Sequence, residues 1–286
     1  RVVRPVPSVM APTRKVRTSI TRSLGARPSV SGMPSATEAA ATAGMVLEGA
    51  RNVCDEAGIP LAGGHSIDIS DPVFGLAVTG ITATSSIKRN DTATPGCRLF
   101  LSKPIGTGIL STAGKKAFLS EADYRLSVDW MTKLNKIGTE LGKMGSVRAM
   151  TDVTGFGLLG HLLEVCEGSG ISAVIEFQKV PLFDNLSGYI EKNCIPGGTY
   201  RNWKSYGHKI GELDERQKYL LADPQTSGGL LIAVDKEPGE DFLALAKAHS
   251  LAEIGYLSEG AAGDPVIAVQ YAGIPCFPVH DLVVID

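Results

Sequence analysis

Between residues 35 and 57 the apolar positions Ala39, Ala43, Val46, Ala50, Val53 and Ala57 recur at helical intervals, which predicts an amphipathic helix. Ser35 and Glu38 have capping-box spacing at its start, and Gly58 stands where a helix stops. The turn-rich "LAGGHSIDISDP" follows, then "VFGLAVTGITA", a strand-like run whose interior glycines suggest a bulge or a closely approached backbone. This first unit ends near residue 84.

A second unit opens with "CRLFLSKPIGTGIL", read as a strand, a turn at 103–108 and the start of a helix. Helical patterns cover 108–118 and 121–140, and "SVRAM" is a strand. "TDVTGFGLLGH" then feeds a helix running to about 167, and "SAVIEF" is the next strand. A looser stretch contains "IPGGTYRNW", followed by a helix at 213–221, the turn "ADPQTSGG" and the strand "LLIAV". A helix at 238–249 and strands near 252–257 and 265–271 complete the pattern. The order mixes strands and helices without the alternation of a barrel or a fixed-period repeat, so an α/β (α+β) fold is expected.

Composition narrows the class. At 286 residues and 43% hydrophobic, the chain can bury one large core or two ordinary ones. No run approaches the roughly 20 apolar residues of a membrane span. Five cysteines, Cys54, Cys97, Cys166, Cys194 and Cys276, are scattered singly without metal-ligand spacing, which reads as small core residues in a reducing compartment and predicts a cytoplasmic protein.

The net charge of −2 hides an asymmetry: residues 1–32 hold seven basic residues and no acidic one, leaving 21 basic against 30 acidic, about −9, in the remainder. That opening stretch lacks any sustained pattern and reads as a disordered tail or sequence foreign to the rest. An organelle-targeting segment and a non-specific nucleic-acid contact are its other readings.

Three glycine-rich turns suit phosphate, because helix N-termini expose unpaired N–H groups at the positive end of the dipole: "AGGHS", "GTGIL" and "DVTGFGLLG". Each is weak alone, since tight turns and close packing also call for glycine. Asp152, directly after a strand, either holds a Mg²⁺ or caps the helix that follows. Asp223 in "ADPQTSGG" has the same two readings, with the adjacent proline favouring a turn role. His65 sits in a turn where it could reach a substrate, whereas His161 lies among leucines as a satisfied, half-buried residue.

Taken together, "LAGGHSID" with "PVFGLAVTG", "MTDVTGFGLLGHL", "GGTYRN" with "YGH", and "DPQTSGGLL" resemble the selenophosphate synthetase (selenide, water dikinase) family in order and wording. The resemblance runs from about residue 40 to near 260. It implies an aminoimidazole ribonucleotide synthetase-like two-domain fold: an N-terminal α/β domain whose strands form a barrel across a homodimer, and a C-terminal domain with a six- or seven-stranded sheet. It also implies conversion of ATP, selenide and water into selenophosphate, AMP and orthophosphate with Mg²⁺ and potassium. Asp152 falls on the family's magnesium-binding aspartate, and Gly63, Gly64 and His65 on its ATP-binding segment. Thr226, Ser227 and Gly228, with Asp223, match a motif to which no role is carried over.

The chain departs from the family at its start. Residues 1–33 contain no cysteine and no aspartate, so the family's glycine-rich segment with its catalytic cysteine or selenocysteine and lysine has no counterpart here, and no catalytic residue is assigned. The expectation is a basic tail at 1–33, a remnant of the ATP-binding and dimerisation domain at 34–84, and the C-terminal α/β domain at 85–286. The 286 residues should make little selenophosphate by themselves, and their oligomeric state should be altered. The alternative is a non-catalytic partner that docks on a complete synthetase or on the selenocysteine synthase.

Overall fold

The computed structural model describes residues 36–66, 73–260 and 266–271. The basic tail, the capping residue Ser35, Cys276 and most of "SIDISDP" lie outside the described residues. Helix α1 spans Ala36–Ala57 and presents Val46, Ala50, Val53, Cys54 and Ala57 as its less exposed side. Gly58, with φ of 73°, ends it as the pattern predicts.

The strand expected at 73–83 does not form. That run is paired with nothing among the described residues, and Val73, Val78 and Ile81 are exposed, Ile81 completely. A strand-like sequence needs a neighbouring backbone to satisfy its N–H and C=O groups, and the described residues supply none there.

Residues 98–270 build the sheet. Strands β1 (Arg98–Leu101), β2 (Val147–Asp152), β3 (Ser172–Glu176), β4 (Leu230–Val234), β5 (Ala252–Ser258) and β6 (Ile267–Gln270) lie in the order β2-β4-β1-β5-β3-β6. All neighbours are antiparallel except β3 and β6. Every residue of β4 is buried, because helices cover both faces of the central strands. On one face Leu99, Leu101, Leu231 and Ala233 join the larger core with α2 (Thr107–Lys115) and α5 (Gly157–Ser169). On the other, Phe100, Ile232 and Val234 meet Ile137, Leu141, Phe242 and Ala246. This is the two-period alternation of a strand set between two cores.

Both sheet edges are blunted by irregular chain. Met150 N donates to Arg89 O at 3.1 Å beside β2, and Gly211 N donates to Ile267 O at 2.9 Å beside β6.

Two helical readings need correction. The expected helix at 121–140 is broken into α3 (Glu121–Thr132) and α4 (Ile137–Leu141). Lys133 is extended, its carbonyl taken by Lys103 Nζ at 2.6 Å, while Asn135 Nδ2 donates to Gly228 O at 3.0 Å. Tertiary hydrogen bonds thus hold open a break that local propensity would close. The stretch read as loose contains α6 (Leu186–Glu191) and α7 (Gly197–Tyr206). The inward stripe of α7 is Thr199, Asn202 and Tyr206, spaced like a helix face but too polar to register as an apolar pattern. The remaining helices are α8 (Glu215–Leu221) and α9 (Glu240–Ala248).

Candidate functional site

Because β4 runs antiparallel to both β1 and β2, its first residues lie between the last residues of those two strands. Leu101 faces Leu231 and Asp152 faces Leu230. The sequence turns that follow β1 and β2 and precede β4, "SKPIGTG", "DVTGFG" and "ADPQTSGG", therefore meet at one end of the sheet. Asp152, Asp223, Thr226, Ser227 and Gly228 come together there.

The glutamine of "DPQTSGG" closes the "GTGIL" turn. Gln225 Oε1 accepts from Gly106 N (3.0 Å), Thr107 N (3.2 Å) and Thr107 Oγ1 (3.1 Å), and Thr226 N donates back to Thr107 Oγ1 at 2.9 Å. Asp223 Oδ2 accepts from Gly108 N at 2.9 Å and from Gln225 Nε2 at 2.9 Å. The amides at the start of α2 are spent on protein side chains, which removes "GTGIL" from the phosphate-binding candidates. Asp223 is followed by β4 rather than by a helix, and its carboxylate caps α2 from a turn 115 residues away.

Asp223 is 0% exposed, and its Oδ1 has no hydrogen-bond partner among the described residues. A Cβ on Gly108 would overlap that oxygen, so only glycine allows the approach. Burial pushes the carboxyl up to about 8, against the opposing hydrogen bonds from Gln225 and the α2 amides.

The folded pKa lies above the unfolded value of about 3.9, so stability is fullest below that value and is lost as pH rises through about 8. The melting temperature of the chain should therefore fall between about pH 4 and 8 and level off above that, and Asp223→Asn should flatten most of that fall. A variant with the same slope as wild type would assign the titration elsewhere.

The "DVTGFG" turn is held by α7. Asn202 Nδ2 donates to Gly155 O at 2.9 Å and to Ala222 O at 3.0 Å, bridging it to the "ADPQTSGG" turn, and Tyr206 OH donates to Phe156 O at 2.7 Å. The "GGTYRN" wording therefore corresponds to a brace between two turns. His161 is buried and satisfied, with Nε2 3.1 Å from Thr154 Oγ1 and Nδ1 3.3 Å from Glu164 Oε2.

Asp152 ends β2 and does not cap α5, whose N-cap is Phe156 with no side-chain cap bond. Its carboxylate is half-buried and accepts no hydrogen bond among the described residues. An unengaged carboxylate is a hard oxygen donor, and Mg²⁺ is typically held by one or two carboxylates together with waters and phosphate oxygens. The residue fits a share of such a site. Among the described residues no group of three or more His, Cys, Asp or Glu could hold a metal alone.

Sequence reasoning passed over Lys103. It is 4% exposed, with Nζ donating to Lys133 O at 2.6 Å and Ser227 O at 2.9 Å. Burial first, and the nearby Lys133 charge second, bring its ammonium down to about 8. It also borders an open groove of about 350 Å³ with Trp130, Pro181 and Asp184. A lone cation inside the apolar run "LFLSKPIG" is the signal that would have marked it.

Gly63, Gly64 and His65 are exposed, and no hydrogen bond among the described residues joins them to the three turns. Cys54, Cys97, Cys166 and Cys194 are buried free thiols, as expected of core cysteines. Among the described residues no helix is long and apolar enough to cross a membrane.

Comparison with known proteins fits this picture. Residues 94–267 match the family described as AIR synthase related protein, C-terminal domain. The chain is 56% identical over 216 residues to the selenide, water dikinase of Pseudomonas putida, covering 75% of this chain and 63% of that protein. It is 54% identical to that of Pseudomonas aeruginosa, covering 80% and 67%, and 51% identical to that of Aeromonas salmonicida, covering 86% and 73%.

Among solved structures, a chain of the HypE-HypF complex superposes with a TM-score of 0.57 at 15% identity, covering 85% of this chain and 72% of that one. T. maritima PurL, solved with ADP, gives 0.51 at 15% identity, covering 79% and 32%. These two likenesses show the fold, an aminoimidazole ribonucleotide synthetase-like α/β architecture. At 51–56% identity to these three selenide, water dikinases over 75–86% of its length, and with the matching domain over 94–267, the chain belongs to the selenide, water dikinase family.

Proposed function

We propose that this chain is the scaffold of an ATP-dependent selenophosphate synthetase, which makes selenophosphate, AMP and orthophosphate from ATP, selenide and water. The observation that carries the reading is the 56% identity to a selenide, water dikinase, taken with the unengaged Asp152 carboxylate where three turns meet. On this reading Asp152 is a Mg²⁺ ligand, and Gly63, Gly64 and His65 line an ATP-binding segment that serves the nucleotide across a homodimer. Bound Mg²⁺ would neutralise phosphate oxygens, and potassium is the second expected cofactor. The chain's own contribution is a rigid floor: the Gln225 and Asp223 clamp on α2 and the Asn202 brace fix the turn that carries Asp152.

The 286 residues lack a counterpart of the family's Cys/Sec and Lys segment, and phosphoryl transfer depends on several ligands and cations acting together. Phosphorus NMR with ATP, Mg²⁺, potassium and selenide under anaerobic reduction is expected to show little turnover by these residues alone. Turnover should appear once a relative's N-terminal segment is joined ahead of α1. Selenophosphate formed at an ordinary enzymatic rate by the 286 residues alone would overturn this account.

A second reading rests on the exposed Val73, Val78 and Ile81 in a run without a strand partner. Such a run suits pairing with another chain, so the protein would be a non-catalytic partner docking on a complete synthetase or on the selenocysteine synthase. Sedimentation of the chain alone is expected to show altered, concentration-dependent association. Heterodimerisation with a full-length relative, without ATP binding, would select this reading over the first.

A further inference from the structure

The TSGG turn, residues 226–229, has two sets of backbone polar groups, and the protein accounts for one of them. The carbonyls of Ser227, Gly228 and Gly229 accept from Lys103 Nζ (2.9 Å), Asn135 Nδ2 (3.0 Å) and Val153 N (2.9 Å). The flanking amides are also satisfied: Thr226 N donates to Thr107 Oγ1 at 2.9 Å, and Leu230 N to Ser102 Oγ at 2.7 Å. Gly228 and Gly229 are both buried, yet among the described residues neither N–H has an acceptor.

The direction of those two N–H groups follows from covalent geometry. The peptide bonds are trans, and across a trans peptide the carbonyl of one residue and the N–H of the next point in opposite directions. The Ser227 carbonyl is turned to Lys103, so the Gly228 N–H is turned away from it. The Gly228 carbonyl is turned to Asn135, so the Gly229 N–H is turned away from Asn135.

Lys103 Nζ also holds Lys133 O, two residues before Asn135 in the break between α3 and α4. Both amides therefore face away from that break. Ser227, at φ of 51°, is the left-handed residue of the turn and sets the direction of the Ser227–Gly228 peptide that carries the first of these amides. Orphaned buried donors are costly and rare, and two adjacent ones sharing a side form a receptor for an oxyanion. Asp152 pairs with Leu230, at the exit of the turn, about 5 Å away between Cα atoms.

We propose that the Gly228 and Gly229 amides bind an oxyanion of the phosphate class, with Lys103 and Asn135 as positioning residues that hold the turn's carbonyls on its far side. The assignment of that anion to a nucleotide or its phosphate product rests on the function proposed above. The donor geometry does not, which allows the two to fail separately.

The test is a titration of the glycine amide resonances of the ¹⁵N-labelled full chain, with inorganic phosphate, with ATP and Mg²⁺, and with chloride at matched ionic strength. The Gly228 and Gly229 protons should move downfield saturably with phosphate and stay in place with chloride. Lys103→Met should weaken that response about tenfold, the size expected for losing a hydrogen bond from a charged group. Lys103→Arg should restore part of it, and Asn135→Leu gives an independent way to release the turn.

Asp152→Asn should leave the phosphate response intact and lose only the response to ATP with Mg²⁺. If phosphate moves both amides and ATP with Mg²⁺ does not, the subsite stands and the nucleotide reading falls. If neither amide responds to phosphate, or chloride moves them as far, the subsite is refuted.

Discussion

Replacing Asp152 by asparagine in a chain carrying a relative's N-terminal segment is expected to lower Mg²⁺-dependent turnover of ATP by about 10²–10³-fold, the usual scale for removing one positioned electrostatic group from a transition state. The fold should not notice. The carboxylate is half-buried at a strand end and accepts no hydrogen bond among the described residues, so its loss should change urea-unfolding stability by less than about 0.5 kcal/mol. The separation of the two readouts is the point of the experiment. A residue with a structural role would lose stability and activity together, and a variant with wild-type turnover would remove Asp152 from the site.

Gly228→Ala should have the opposite signature. A Cβ on Gly228 overlaps the Val153 carbonyl oxygen and lies 3.1 Å from Gln225 Cβ. Both neighbours are tied down, Val153 by its N–H to Gly229 O and Gln225 by its bonds to the α2 amides. The clash is with backbone that cannot swing aside, and the cost should be about 3 kcal/mol or more, enough to unfold a marginal chain. The internal control is Gly188→Ala in α6, where a Cβ meets nothing within 4 Å. There the gain in helix propensity should stabilise by about 0.5–1 kcal/mol. Equal melting temperatures for wild type and Gly228→Ala would mean that the turns are not packed against each other as described.

The two substitutions separate roles that the motifs "DVTGFG" and "DPQTSGG" blend. Most of their unusual residues serve the packing of three turns at the end of the sheet: Gly228 against Val153, Gln225 and Asp223 on α2, Asn202 across both. Such constructions free one carboxylate and two amides from any structural duty. On the proposed function, rigidity around Asp152 comes from residues that touch no reacting atom, as a site that keeps its geometry through turnover requires.

Much of this was legible along the chain. α1, α2, α5, α8 and α9 lie within a few residues of their apolar periodicity, and the strands at 98–101, 147–152, 172–176, 230–234, 252–258 and 267–270 follow from short β-branched or aliphatic runs between turns. The wording of the motifs placed the chain in its family, because a run such as "DVTGFGLLGH" with "DPQTSGGLL" is far more specific than any glycine spacing. Asp152 was visible as a carboxylate at a strand end.

The remainder was decided by contacts between residues far apart. The "GTGIL" turn looked like an anion site, but whether an amide is free depends on what faces it. Gln225, 119 residues away from Gly106, takes that amide. The helix at 121–140 broke because Lys103 and Asn135 found carbonyl partners across the fold. α7 escaped notice because its buried stripe is polar and is satisfied only in place. The run at 73–83 had strand composition without a strand partner among the described residues, since pairing belongs to two segments and periodicity reports on one. The sequence by itself determined the elements and the family, because those depend on local periodicity and on residue identity. Only the tertiary structure decided which polar groups at the sheet end are spent and which stay unpaired among the described residues, because a hydrogen bond is settled by the geometry of both partners.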